Sequence, residues 1–219
     1  LIEARYSLSL MEQRLLVSAI ADISPMQAMP ETVTVSVDKF STLFEIDKKN
    51  AYKEIKKALD SLCSKPAVKL KDDWENEEFH FVHWVSEAKY KDSTVSLSFA
   101  PSIRKYLTEL KGSFTTYELK NLSQLKSQYS IRFYELISQY KTTAYRIDNY
   151  KDLREILGIE EGKYKLFSDF RKSVLEPSIK ELNAKTNFNV EYETIKKGRS
   201  VDKIKFTFTP KKQGQFPDF

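Results

Sequence analysis

A chain of 219 residues, 41% hydrophobic and 13% aromatic, can bury real cores as one large domain or two small ones, which excludes wholesale disorder. No apolar run reaches the ~18 residues of a membrane helix, and a single cysteine, Cys63, excludes an internal disulfide and fits a reducing cytoplasm. The net charge of +5 is uneven: residues 1–110 carry 15 Lys/Arg against 17 Asp/Glu, while residues 111–219 carry 21 against 14. A basic half suits an anionic partner, nucleic acid above all, or serves solubility alone. No secretory signal opens the chain; it begins at Leu1 rather than Met, so a few native residues are expected to precede it.

In chain order, Ser9 and Glu12 form a capping box ahead of a helix whose apolar face holds Met11, Leu15, Leu16, Ala19, Ile20 and Ile23. A short strand, TVTVSV, and a short helix, DKFSTLFEI, follow. The stretch KKNAYKEIKKALDSLCSK predicts a second amphipathic helix with Ala51, Tyr52, Ile55, Ala58, Leu59 and Leu62 inward. Cys63 falls beside that stripe and reads as a small core residue. AVKL, EFHFVHWVSEAKY and STVSLSF read as strands.

The order then repeats with a period of about 113 residues. LSQLKSQYSIRFYELISQYK predicts the long helix, and Leu153, Ile156, Leu157 and Ile159 stand where Phe40, Leu43, Phe44 and Ile46 stand in the first copy. KYKLFSDFRKSVLEPSIKELNAKT predicts the next helix, with Phe167, Phe170 and Val174 inward and a bend after Glu176 at Pro177. FNVEYETIKKGRSVDKIKFTF predicts a hairpin turning at Gly198-Arg199-Ser200. Helix, strand, helix, helix, hairpin is the order of a winged helix-turn-helix. The expected fold is therefore α+β: an N-terminal winged-helix domain over 1–110, a C-terminal one over 111–210, and a flexible tail over 211–219.

In that architecture the third helix can enter a major groove while the hairpin, the wing, lies along phosphates. In the second copy Lys163 falls at the helix start. Lys165, Ser168 and Lys172 point away from Phe167, with Arg171 on the flank. Lys and Arg suit phosphates and the guanine edge, and Ser bonds either. Lys196, Lys197, Arg199 and Lys203 load the wing. An ordinary solvated face is the plainer reading of the helix alone, and Asp169 and Glu176 support it. In the first copy Lys49, Lys53, Lys56 and Lys57 lie opposite Ile55, a second candidate DNA face. Its wing turn reads KDDWENEE, which phosphate would repel.

His80 and His83 are three apart, which in a strand sends them to opposite faces, so no metal site is expected. No GxxxxGK[ST] loop and no Ser/His/Asp set appear, so neither an enzyme nor a cofactor is expected. Apolar residues on both faces of EFHFVHWVSEAKY, with Phe79, Phe81, His83 and Val85 on one and His80, Val82 and Trp84 on the other, leave two readings. The sheet pairs with a second copy in a homodimer, or the stretch SIRKYLTELKGSFTTYEL, which links the two copies, covers it and the chain stays monomeric.

LIEARYSLSLMEQRLLVSAI, YSIRFYELISQY, FRKSVLEPSIKELNAKTNFNVEYE and KKGRSVDKIKFTF together resemble the iteron-binding plasmid replication initiators, in that family's order along nearly the whole chain. The resemblance implies two winged-helix domains and a bacterial plasmid source. It also implies monomers that bind double-stranded origin repeats and open an adjacent A·T-rich segment, recruitment of host replication proteins, and N-terminal dimers that repress the initiator's own gene. The family's base-contacting residues fall on DFRKS, hence Arg171 and Lys172, with Ser173 where some members carry a third basic residue. Two other readings stay open: a winged-helix repressor or partition-type protein with no initiation role, and a metal-dependent nicking enzyme.

Overall fold

The computed structural model describes residues 5–21, 23, 29–64, 68–73, 78–104, 107 and 116–211. The chain divides into two compact units, Leu1–Ser123 and Gln124–Phe219. Both follow the α+β winged-helix plan, with helices packed on an antiparallel three-stranded sheet.

In the first unit α1 spans Leu10–Ala21, β1 Thr32–Ser36, α2 Val37–Phe44 and α3 Lys48–Ser64. The capping box forms: the Ser9 amide donates to Glu12 Oε2 at 2.6 Å and the Glu12 amide to Ser9 Oγ at 3.3 Å. Every residue from Glu12 to Ile20 is buried, so α1 is enclosed all round rather than on one face. Its polar members are provided for only in part, since Gln13 Oε1 and Ser18 Oγ are buried with no hydrogen-bond partner among the described residues. Gln13 Nε2 donates to Leu8 O at 3.0 Å, and the Arg14 guanidinium lies 4.7 Å from the centre of the Phe44 ring. On α3 the inward stripe is Ala51, Ile55, Ala58, Leu59 and Leu62. Tyr52 is 45% exposed, against expectation, because it turns sideways onto Tyr90, 5.1 Å away. Cys63 is exposed rather than core: the buried stripe ends at Leu62, two residues before the helix does.

The expected long strand of this unit is two strands in two sheets. β2, Val68–Asp73, pairs with β3, Glu78–Val82; β4, Val85–Lys91, pairs with β5, Thr94–Phe99, which pairs with β1. The break falls at His83-Trp84, where Val82, Trp84 and Val85 all enter the unit's own core and Tyr6 meets Trp84 edge-on at 4.9 Å. Two readings change with it. The wing of this unit is β4–β5, turning at Asp92 and Ser93, both at positive φ as a two-residue type I′ hairpin requires. Of the acidic KDDWENEE stretch, Lys71, Asp72, Asp73 and Glu78 lie instead in the separate β2–β3 sheet, and residues 74–77 lie outside the described residues. And Val82, Trp84 and Val85 are spent inside the unit, so they do not form an apolar face for a second copy. The side chains of Phe79, His80 and Phe81 lie outside the described residues. A further helix, α4 (Thr116–Ser123), packs on α1 and α2.

The second unit repeats the plan. The predicted long helix is interrupted at 124–127, because Ser127 Oγ accepts the Tyr129 amide at 3.2 Å and caps a new helix, α5 (Gln128–Gln139). β6 (Tyr145–Asn149) and α6 (Tyr150–Ile156) follow, with Leu153, Ile156, Leu157 and Ile159 buried as the repeat requires. Asn149 caps α6 through the Lys151 amide at 2.9 Å, the place Ser36 holds before α2. Arg132 stands in α5 where Arg14 stands in α1. It is buried, donates Nη2 to Ile156 O at 3.2 Å and meets Glu135 at 2.5 Å. Burial pushes the Glu135 carboxyl above the usual carboxylate range, against the pull of Arg132. β7 (Phe188–Lys197) and β8 (Ser200–Pro210) form the wing, with β8 central between β6 and β7. Lys211 donates its ammonium to the carbonyls of Asn183 and Thr186, so the first residue of the predicted tail is anchored; 212–219 lie outside the described residues.

Candidate nucleic-acid interface

The third helix of the second unit begins at Phe167, later than predicted. α7 (Phe167–Phe170) continues through a π-turn, Arg171–Leu175, into α8 (Glu176–Lys185). Phe170, Val174, Leu175, Ile179 and Leu182 are buried; Phe167 is only half-buried. Pro177 therefore produces a wider turn rather than a break, with helical backbone maintained at Leu175 and Glu176. Ser168 and Lys172 are exposed, as the periodicity predicts, and so are Arg171, expected on the flank, and Ser173.

Lys163 and Lys165 lie in the turn that precedes the helix. The turn is braced: the Arg154 guanidinium donates to Tyr164 O at 2.7 Å and to Lys163 O at 2.5 Å. Lys163 pairs with Glu160 at 2.8 Å, and that hydrogen bond raises its pKa, while Lys165 is exposed with no ion pair among the described residues. Leu166 stands at the N-cap position, without a side-chain cap hydrogen bond, and is 64% exposed.

The wing is held to the helix at its base and free at its tip. Asn183 mimics a strand partner, donating Nδ2 to Val190 O at 2.9 Å and accepting the Val190 amide at 2.6 Å. Tyr192 donates its hydroxyl to Glu176 at 3.3 Å, and burial, with Glu176 behind it, keeps that hydroxyl protonated above the ordinary tyrosine range. From Glu193 to Ser200 every residue is exposed. Lys197 pairs with Ser200 across the loop Gly198-Arg199. Gly198 sits at φ 65° with nothing within 4 Å of where a Cβ would be. Lys196, Lys197, Arg199 and Lys203 carry no ion pair among the described residues, whereas Lys205 is taken by Glu193 at 2.8 Å. Phe167, Arg171, Tyr192, Glu193, Thr194, Lys196 and Val201 line one groove between helix and wing.

The first unit builds the same groove with different chemistry. Tyr52, Ile55, Lys56, Leu59, Asp60, Ala88 and Tyr90 line it, between α3 and β4. Lys49, Lys53, Lys56 and Lys57 are all exposed on α3, but Lys56 is paired with Asp60 at 2.9 Å and Lys57 with Glu54 at 2.7 Å. The bond to Asp60 raises the Lys56 pKa. Sequence reasoning missed Arg154, Tyr192 and the Tyr52–Tyr90 pair and read Glu176 only as a mark of a solvated face and of the bend; the LEP order at 175–177 signalled the irregular turn. Among the described residues no group of three or more His, Cys, Asp or Glu side chains could hold a metal, and no helix is long and apolar enough to cross a membrane. His83 is exposed at the strand break.

Two winged-helix units, the second with exposed basic residues on its third helix beside a basic wing, define a tandem winged-helix protein. The chain belongs to the Rep initiator family: residues 1–138 match the family model described as Initiator Replication protein, WH1, and residues 149–208 that described as Initiator Rep protein, WH2. It is 27% identical over 211 residues to a replication initiation protein of Escherichia coli, covering 93% of this chain and 65% of that protein. It is 32% identical over 155 residues to the PI protein of Escherichia coli, covering 63% of this chain and 50% of that one. The chain thus spans less than two thirds of the length of both relatives. Its fold is that of the Pi initiator protein crystallised in complex with iteron DNA, with a TM-score of 0.75 at 24% identity over 94% of this chain and 93% of that one.

Proposed function

We propose that this chain is a sequence-specific double-stranded DNA-binding protein that initiates plasmid replication by binding direct repeats at an origin. The observation that carries the reading is the groove of the second unit. Arg171 on the helix and Lys196 on the wing line one channel, with Ser168 and Lys172 exposed on the same helix and Lys197 and Arg199 exposed at the same wing tip, so that base-reading groups sit on the helix and phosphate-neutralising groups on the wing. The N-terminal winged helix adds a secondary contact through Lys49 and Lys53, and the C-terminal one supplies the main recognition. Membership of the initiator family and likeness to a protein solved with iteron DNA support the step from binding to initiation. The chain acts by binding rather than catalysis, in the bacterial cytoplasm, and hands the opened origin to host replication proteins. A homodimer through the N-terminal unit, paired along the backbone of the edge strand β4 rather than through the buried side chains of Val82 and Val85, represses the initiator's own gene.

Two assays test this together. A duplex site selected from random DNA should give a footprint of roughly 20 base pairs that is asymmetric, since the two units differ in sequence. A plasmid carrying that site as repeats, deprived of its own initiator, should be maintained when this chain is supplied in trans. Tight binding without maintenance would favour a repressor or partition-type protein.

A further inference from the structure

In an α-helix, residues five apart lie about 140° apart around the axis and do not share a face. Arg171 and Glu176 are five apart, yet Arg171 Nε sits 3.5 Å from Glu176 Oε1. The π-turn brings them together, since the Glu176 amide bonds back five residues to Arg171 O. Pro177 is the sequence cause: it has no N–H for the carbonyl four residues back, so the ladder loses a bond there and adopts the wider turn. The same Oε1 accepts the Tyr192 hydroxyl from the wing. One carboxylate oxygen thus ties the helix arginine to the wing strand.

With Nε at Glu176, the end-on edge formed by the two terminal nitrogens lies across the planar guanidinium from Nε, and no described residue bonds those nitrogens. That end-on pair matches the O6 and N7 acceptors of guanine. We propose that Glu176 is a specificity-determining positioning residue: it holds Arg171 in the end-on pose for guanine. Its negative charge also opposes complexes in which Arg171 swings onto a phosphate. The inference rests on the reading of α7–α8 as the base-reading helix.

The test measures binding of the full chain to the best duplex selected from random DNA and to a scrambled duplex of the same composition. Glu176→Gln should strengthen scrambled binding and cut the selected-to-scrambled ratio roughly tenfold. In an Arg171→Ala background the same substitution should leave the ratio unchanged, because the group it positions is gone. Glu176→Asp, which keeps the charge but shortens the reach, should lower the ratio in the same direction and serves if the Gln variant loses stability. A ratio unmoved by Glu176→Gln or Glu176→Asp while Arg171→Ala lowers it overturns the inference and leaves the helix as reader. An equal fall in both backgrounds also overturns it, since Glu176 would then act without Arg171. A ratio unmoved by Arg171→Ala overturns the reader assignment, and the inference with it.

Discussion

Arg146 and Asp148 form a buried ion pair, 2.5 Å from Nη2 to Oδ1, at the two strand positions where the first unit buries Val33 and Val35. The strands β1 and β6 have the same alternation of buried and exposed residues, so the second unit has turned its charged residues inward and left Tyr145 and Ile147 outside. Removing the carboxylate breaks the buried pair: Asp148→Val should cost about 3–5 kcal/mol in thermal or urea unfolding. Replacing both, as the first unit already does, should be neutral or stabilising by about 1–4 kcal/mol. A double variant as damaged as the single one would show that the pair itself is required.

Glu181 gives the unit a pH dependence. Burial raises its carboxyl, but hydrogen bonds from the Lys126 amide at 2.8 Å and Lys185 Nζ at 3.0 Å, with the Lys185 charge, outweigh that and hold it below the usual carboxylate range. A depressed folded pKa contributes stability above the unfolded value near ~4.3 and loses it as pH falls through the folded one. Glu181→Gln should therefore destabilise the protein at pH 6 and converge with the wild type toward pH 3. A gap independent of pH would mean the contribution is packing alone.

The repeat explains how much was legible. The 3.6-residue pattern of α3, the capping box at Ser9 and the alternation in β7 and β8 are local, and each is where the sequence places it. What failed was non-local. EFHFVHWVSEAKY alternates like one strand, yet Trp84 and Val85 are both drawn into the core, and that burial outweighs continued pairing. The Arg154 brace and the Arg171–Glu176–Tyr192 link join residues across loops or across a π-turn, which no period announces. The outward side of the third helix was readable even though its inward reference is Phe170 rather than Phe167.

Gly198 should be hard to replace for conformational reasons alone. At φ 65° a side chain is strained although the space is open. Gly198→Ala should cost about 1 kcal/mol by thermal unfolding, and Gly198→Asn less, because Asn tolerates this region better. Equal losses would mean that something other than φ fixes the tip.

Salt should separate paired from unpaired lysines. The slope of log K against log salt should lie roughly between −5 and −7, and Arg199→Ala should reduce its magnitude by about 0.9. Lys57→Ala should change it less, because Glu54 already neutralises Lys57 in the free protein. A wild-type slope near −1 would contradict the electrostatic account.

The central claim is that the helix reads bases while the wing grips phosphates, and one comparison tests it most directly. Affinity for a selected duplex and for a scrambled one is measured for Arg171→Ala, Lys172→Ala and Arg199→Ala. The account predicts that the two helix variants lose about 1–3 kcal/mol on the selected duplex and relax preference at one or two base pairs, while Arg199→Ala weakens both duplexes alike. If the helix variants weakened both duplexes equally, the second unit's third helix would not be the reader.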